Sequence, residues 1–310
     1  MEFITPREDM ILMTQQWTGE RYEDGRPKVP DSILKRFEKI KTEEAWGVLH
    51  RRGYRYQFNG NMKRVHDDGR MLIGRALTAV MVPTRPDVHM NMLRHGREDK
   101  GFKGFFNQWS IECLQENDVL VVDMNDKVVY GTYVGGNLST AIKSKTKNPH
   151  GGAVIWGGIR DLQQIVEIPD FQIYYRGIDP TPIGDVMLSG INKPCAIGDA
   201  ICMPGDVVLG TMSGVLFIPA HLAEAACIAG EKEQCRDLFG FERLAQGIYT
   251  SAQIDTRWTE AIMEDFLEWF ATSPKAADYQ HLTWEDEIAF SKLKNVTDFA
   301  GFIAPPEYDV

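Results

Sequence analysis

No two cysteines in this chain stand at CxxC or CxxH spacing. No apolar run approaches the roughly 20 residues that span a bilayer, and acidic residues outnumber basic ones, 44 to 34. Each absence excludes a class. The five cysteines, Cys113, Cys195, Cys202, Cys227 and Cys235, form neither a disulfide framework nor a zinc signature, and their odd number fits a reducing compartment. The formal charge of −10 argues against a nucleic-acid or membrane-surface binder, since phosphate affinity needs clustered Lys and Arg. The opening residues MEFITPREDM carry early acids and no signal-peptide core, so the expected location is cytoplasmic. Internal repeats and low-complexity tracts are also missing.

What is present is a globular composition, 43% apolar and 25% charged over 310 residues. Residues 1–30, with Pro6, Gly25, Pro27 and Pro30, are expected to form an N-terminal arm. Helices are expected from about Ile33 to Lys41 and from Thr42 to Arg52. The run RMLIGRALTAVMVP, Arg70 to Pro83, is the first strand, and Val119 to Met124 is a strand buried on both faces. Between them, residues 84–108 hold His89 and His95 at a spacing that matches no familiar metal motif, which suits a loop insertion or a short helix. Phe171 to Tyr175 and four short segments, beginning at Val186, Ala200, Val207 and Val215, complete the strands. Helices are then expected over Ala220–Ala229, Glu233–Gln246, Asp255–Phe270 and Thr283–Leu293. Trp258, Ile262, Phe266 and Phe270 repeat at four-residue spacing, a stripe that suits core or a subunit interface. This divides the chain into an arm (1–30), an α/β domain (31–230) and a helical extension (231–310).

The stretch that gathers chemistry is VGGNLSTAIKSKTKNPHGGAVIWGGIRD, Val134 to Asp161. Paired Gly135 and Gly136 let backbone approach a ligand, and they open a helix whose free amides attract anions. A glycine-flanked strand, Gly152 to Trp156, then leads to Arg160 and Asp161. The arginine can grip a carboxylate bidentately, and the aspartate is a hard oxygen ligand for a divalent cation. An equally simple reading makes them a surface ion pair and a helix cap. Lys143, Lys145 and Lys147 could serve a small anion, or form a solvated helix face.

The ordered runs NDVLVVD, VGGNLSTAIKSK, GGAVIWGGIRDLQQI, YYRG and VMLSGINKPCAIGDAICMPGDVVLGTMSGVLFIP resemble the family of the regulator of ribonuclease activity A. That RraA-like family includes class II 4-hydroxy-4-methyl-2-oxoglutarate aldolases, which are also oxaloacetate decarboxylases. The resemblance covers about residues 33–229 and marks the chain as a longer variant with extensions at both ends. It implies an α/β fold with a three-layer β/β/α, swivelling-domain-like core, carrying here an extra helical C-terminal extension. A homotrimer or homohexamer with sites between subunits is also implied.

Residue by residue, Gly135, Gly136, Asn137 and Leu138 match the loop that holds the pyruvyl group. Arg160 matches the arginine that binds substrate and stabilises the enolate, and Asp161 matches the metal-holding aspartate. The implied cofactor is a divalent metal, Mg²⁺ or Mn²⁺, and the implied reaction is lyase cleavage of a small 2-oxo acid or sugar-derived acid through a metal-stabilised enolate. The alternatives are a non-catalytic regulator of the ribonuclease type, and a different metal-dependent enzyme on the same scaffold.

Three departures stand out. Asn137 occupies the place of an expected acid. Lys147-Asn148-Pro149-His150 lengthens the interval before Arg160. Thr211 and Ser213 replace acids after the PGD turn. His150, or a carboxylate from a neighbouring subunit, is a candidate substitute for the missing acid.

Overall fold

The computed structural model describes residues 2–293, which fall into two units. Among the described residues, the first comprises 2–42 and 55–223, and the second 43–54 and 224–293. In the first unit the chain forms helices α1 (Arg7–Met13) and α2 (Asp31–Arg36), and α3 (Thr42–Arg51) follows. Strands β1 (Phe58–Asn59), β2 (Lys63–Arg64) and β3 (Leu72–Pro83) come next. Helix α4 (Pro86–Arg94) continues into a π-helical turn, His95–Asp99, so residues 86–99 are helical where the sequence shows no clean period, and a loop leads on to the next helix. Helix α5 (Phe106–Glu112), strand β4 (Asp118–Asp123), helix α6 (Gly136–Thr146), strand β5 (Gly151–Ile159), helix α7 (Leu162–Val166) and strand β6 (Phe171–Ile178) form successive crossovers. Five strands complete the unit: β7 (Val186–Ile191), β8 (Cys195–Ile197), β9 (Ala200–Cys202), β10 (Val207–Thr211) and β11 (Gly214–Ile218).

One nine-stranded sheet runs β1-β11-β10-β3-β4-β5-β6-β2. Strands β3, β4, β5 and β6 are parallel neighbours, and β10 and β7 pair antiparallel with the two halves of β3. The sheet is buried on both faces, which explains its unbroken apolar runs. Leu120, Val122, Ala153 and Ile155 point toward the helices, packing with Trp109, Ile142 and Ile165. Val119, Val121 and Val154 point the other way, against the β8–β9 hairpin with Cys195, Ile197, Ala200 and Cys202. Helices, sheet and hairpin are the three layers of the expected β/β/α core.

The N-terminal segment is built into this unit. Arg26, fully buried, pairs with the fully buried Asp118 at 3.0 Å and with Asp24 at 2.8 Å. Arg75 donates to Val29 O and to Asp31, and Phe3 and Met10 are buried.

The second unit is helical: α8 (Ala223–Ala245), α9 (Ser251–Ile254), α10 (Glu260–Thr272) and α11 (Glu285–Ser291), together with residues 43–54 of α3 and the turn after it. Two sequence expectations are corrected. The stretches read as separate helices on either side of Glu231 are one helix, α8, which carries Gly240 in its interior. The helix expected from Asp255 begins at Glu260, because Thr259 caps it by accepting the Ile262 amide. The aromatic stripe is core: Trp258, Ile262 and Phe266 are buried with Phe239, Trp269 and Trp284. The sequence tail IAPPEYDV lies outside the described residues. No helix among the described residues is long and apolar enough to cross a membrane.

Candidate functional site

The β4–α6–β5–α7 path sets the site. A parallel crossover returns the N-terminus of α6 to the carboxyl end of the sheet, where open α/β sheets receive ligands. The end of β5 delivers Arg160 and Asp161 to the same edge. Asp161 sits at φ +55°, a left-handed turn that Asp tolerates better than most residues, and its carbonyl accepts the Gln164 amide at 2.9 Å to begin α7. Its carboxylate turns back to α6, where Oδ2 accepts the Gly136 amide at 3.3 Å and lies 3.4 Å from Arg160 Nε.

Gly135, Gly136, Arg160 and Asp161 are therefore brought together. A Cβ on Gly135 would lie 2.2 Å from Asp161 Oδ2, so glycine is what lets the carboxylate close on the backbone. The side chains of Arg160 and Asp161 remain 41% and 35% exposed, open enough to meet a ligand. Among the described residues, the terminal nitrogens of Arg160 meet no acceptor, so the fork is uncommitted. The amides of Asn137 and Leu138, in the first turn of α6, have no intrahelical acceptor, and the helix dipole adds positive potential there. The Asn137 side chain is exposed, and Leu138 is half-buried against the helical layer.

Other residues singled out in the sequence lie elsewhere. Lys143 Nζ donates to the carbonyls of Asn148 and Asp170, and Lys145 pairs with Glu112, so these two cations close the α6–β5 turn and the α5 contact. His95 pairs with Asp99 at 2.6 Å. His150 precedes β5 and Arg160 follows it, placing them roughly 30 Å apart along the strand; within one chain His150 cannot act at Arg160. It lines a cavity of about 410 Å³ with Asp68, Arg70 and Asp170 at the opposite end of the sheet. The β10–β11 turn carrying Thr211 and Ser213 lies at that far end too, where Thr211 Oγ1 is 3.1 Å from Thr42 Oγ1.

Sequence reasoning passed over three residues that touch the site or its loop. Gln164 packs its carboxamide against Gly136, a position three residues after Asp161 that a helix start makes adjacent. Asn107 donates to the Tyr133 carbonyl at 3.0 Å, and Ser110 Oγ is 2.7 Å from the Tyr133 hydroxyl. Burial pushes the Tyr133 phenol well above its ordinary range. No local pattern marks Asn107, since its partner is 26 residues away.

As a metal centre, Asp161 is a single carboxylate whose Oδ1 accepts no bond among the described residues. No group of three or more His, Cys, Asp or Glu placed to hold a metal occurs among the described residues. A cation at Asp161 would therefore draw its other ligands from water, substrate or another copy, a donor set that suits Mg²⁺, which keeps several waters.

A model of the family described as RraA-like, Aldolase/RraA, matches residues 29–217. A curated relative from Halalkalibacterium halodurans, described as "Putative 4-hydroxy-4-methyl-2-oxoglutarate aldolase", is 28% identical over 123 residues, 39% of this chain and 55% of the relative. The chain thus spans about half the length of the curated relative it matches. Among solved structures, Streptomyces coelicolor RraAS2, titled an unusual member of the RNase ES inhibitor RraA protein family, superposes with a TM-score of 0.59 at 23% identity, covering 70% of this chain and all of that one. A protein from Pseudomonas syringae pv. tomato superposes with a TM-score of 0.58 at 17% identity, covering 76% and 98%. At these identities the structures speak for the fold alone.

Proposed function

The chain belongs to the RraA-like family, and on that footing we propose that it is a divalent-metal-dependent lyase, of aldolase or decarboxylase type, acting on a small 2-oxo acid or sugar-derived acid. One observation carries the reading: an uncommitted arginine fork, a half-exposed carboxylate and the open amides of a helix N-terminus converge on one edge of the sheet. Arg160 pairs with the substrate carboxylate through two parallel hydrogen bonds. The Asn137 and Leu138 amides face the oxygen that gains negative charge as the carbon–carbon bond breaks, and they are fixed before the reaction begins. A divalent cation held at Asp161, Mg²⁺ or Mn²⁺, supplies Lewis acidity toward the 2-oxo oxygen when bound.

Loss of CO₂ from a 2-oxo acid bearing a 3-carboxylate needs this charge stabilisation and no base, and water can return the proton to C3. Retro-aldol cleavage also needs a group that removes the 4-hydroxyl proton. Asn137, a carboxamide, moves no proton. Oxaloacetate is accordingly the first substrate to test. Assembly as a homotrimer or homohexamer, with a second copy closing over Arg160, belongs to the same proposal.

The full chain with Mg²⁺ or Mn²⁺ should release pyruvate from oxaloacetate, and Arg160→Ala should lower kcat/KM by on the order of 100-fold or more. Turnover indifferent to Arg160→Ala would place the chemistry elsewhere. Absence of both turnover and pyruvate binding would favour the second reading, a non-catalytic regulatory protein of the ribonuclease-regulator type, for which the carboxamide at Asn137 already speaks.

A further inference from the structure

The segment before Gly135 runs beside the end of β5 as a single parallel bridge, with Thr132 opposite Gly158. Gly158 N donates to Gly131 O, and Tyr133 N donates to Gly158 O, each at 3.0 Å. A regular parallel ladder would take the next rung from Arg160 N to Tyr133 O. Instead, Arg160 N donates to Val134 O at 3.1 Å. The ladder has slipped by one residue, as at a β-bulge, and a bulge re-aims whatever follows it.

The slip strips the Tyr133 carbonyl of its rung in a place where Tyr133 is fully buried, and a buried carbonyl without a partner is costly. Asn107 takes it: Nδ2 donates to Tyr133 O at 3.0 Å from a side chain that is itself buried. Within α5, Ser110 Oγ donates to the Asn107 carbonyl at 2.9 Å and makes no contact with the Tyr133 carbonyl. Two residues further on come Gly135, with no room for a Cβ beside Asp161, and Gly136, whose amide meets Asp161 Oδ2.

We propose that Asn107 is a positioning residue for the Arg160–Asp161 site: by holding the Tyr133 carbonyl it maintains the one-residue slip that sets Gly135 and Gly136 on Asp161. If the rung returned to Tyr133 O, the glycines would shift by one position and the helix N-terminus would leave the carboxylate. The identity of the ligand rests on the functional reading above; the slip does not.

Asn107→Asp is nearly isosteric and turns a donor into an acceptor facing a carbonyl. Its crystal structure should show Arg160 N returned to Tyr133 O. Calorimetry with pyruvate and Mg²⁺ should show binding weakened by on the order of 10- to 100-fold. Ser110→Ala, which removes hydrogen bonds from the same helix without touching the carbonyl, should lower the melting midpoint and leave both the slip and the affinity in place. The proposal fails if Asn107→Asp keeps the Val134 rung, or if Ser110→Ala loses affinity as far as Asn107→Asp does. Should Asn107→Asp not fold, Asn107→Ser carries the same two readouts. If the unsubstituted protein does not bind pyruvate, the functional reading falls, and the rung observed in the variant's crystal structure still decides the proposal.

Discussion

Gly135 and Gly136 are adjacent, yet their surroundings predict different tolerance to a methyl group. At Gly135 the added Cβ would lie 2.2 Å from Asp161 Oδ2 and 3.2 Å from Arg160 Cγ, so the groups that must move are those of the site. At Gly136 it would meet the tip of Gln164 at 2.0 Å, an exposed and flexible amide, and alanine suits a helix better than glycine. Gly135→Ala is therefore expected to weaken pyruvate–Mg²⁺ binding about tenfold or more with little change in melting midpoint. Gly136→Ala should cost clearly less. Equal losses in calorimetry would mean that the Asp161–backbone contact is not what binds. The buried pair Arg26–Asp118 makes a stability prediction at the same scale. Arg26→Met leaves the buried Asp118 without its paired cation, with Arg75 across the β3–β4 ladder as the remaining positive neighbour, and removing one partner of such a pair costs about 3–5 kcal/mol. Chemical denaturation of that variant with an unchanged midpoint would show that Arg26 is not what compensates the Asp118 charge, Arg75 being the other cation beside it.

At the scale of an element, the turn Pro204-Gly205-Asp206 joins β9 to β10 and is stitched to β3, with Gly205 N donating to Ala76 O and Ala76 N to Asp206 O. Asp206 is buried there, and burial pushes its carboxyl up to about 7 against the opposing amides of Met203 and Ala220. An unfolded aspartate titrates near ~4, so between about pH 4 and pH 7 unfolding releases a proton that the folded chain retains. Stability from this group is full below pH 4, falls as pH rises through that window, and levels off above pH 7. Asp206→Asn should match the unsubstituted protein near pH 4 and exceed it at pH 8 by on the order of a few kcal/mol. Parallel melting curves across pH would rule out a neutral carboxyl at that turn. In β4 the ionisable groups, Asp118 and Asp123, stand only at the two ends, and β5 has none, so the apolar interiors of these strands carry chemistry to their ends.

For the whole molecule, the second unit has its own core, in which Phe266 is fully buried among Phe239, Trp258, Trp269 and Trp284. Phe266→Ala should destabilise that unit by about 3–5 kcal/mol. Residues 43–54 belong to the same unit, with Ala45, Val48 and Leu49 of α3 buried and Gln234 Nε2 donating to Glu44 at 2.9 Å. A chain ended after Ala223 would keep α3 without α8–α11, leaving an apolar face with nothing from its own unit to cover it. Such a chain should aggregate in light scattering. If it stayed monodisperse with an unshifted melting midpoint, the assignment of α3 to the second unit would be wrong.

The sequence by itself determined the elements whose signals are local. Short aliphatic runs rich in β-branched residues and bounded by turns, such as those of β3 and β4, favour strands buried inside a sheet, Gly135-Gly136 before Asn137 opens a helix, and the four-residue stripe from Trp258 to Phe270 needs a core to cover it. It also carried the ordered motifs that mark the family, and with them Arg160 and Asp161. Where a signal depended on distant residues, the tertiary structure decided. Thr259 rather than Asp255 starts α10, because the cap depends on which hydroxyl faces the open amides. Residues 43–54 join helices nearly two hundred positions later, because burial of their apolar side depends on what packs there. His150 is removed from the site by the length of β5 alone. And the contact of Gly136 with Asp161 rests on a one-residue slip held by Asn107, since hydrogen bonds between segments that only the fold brings together leave no period in the chain.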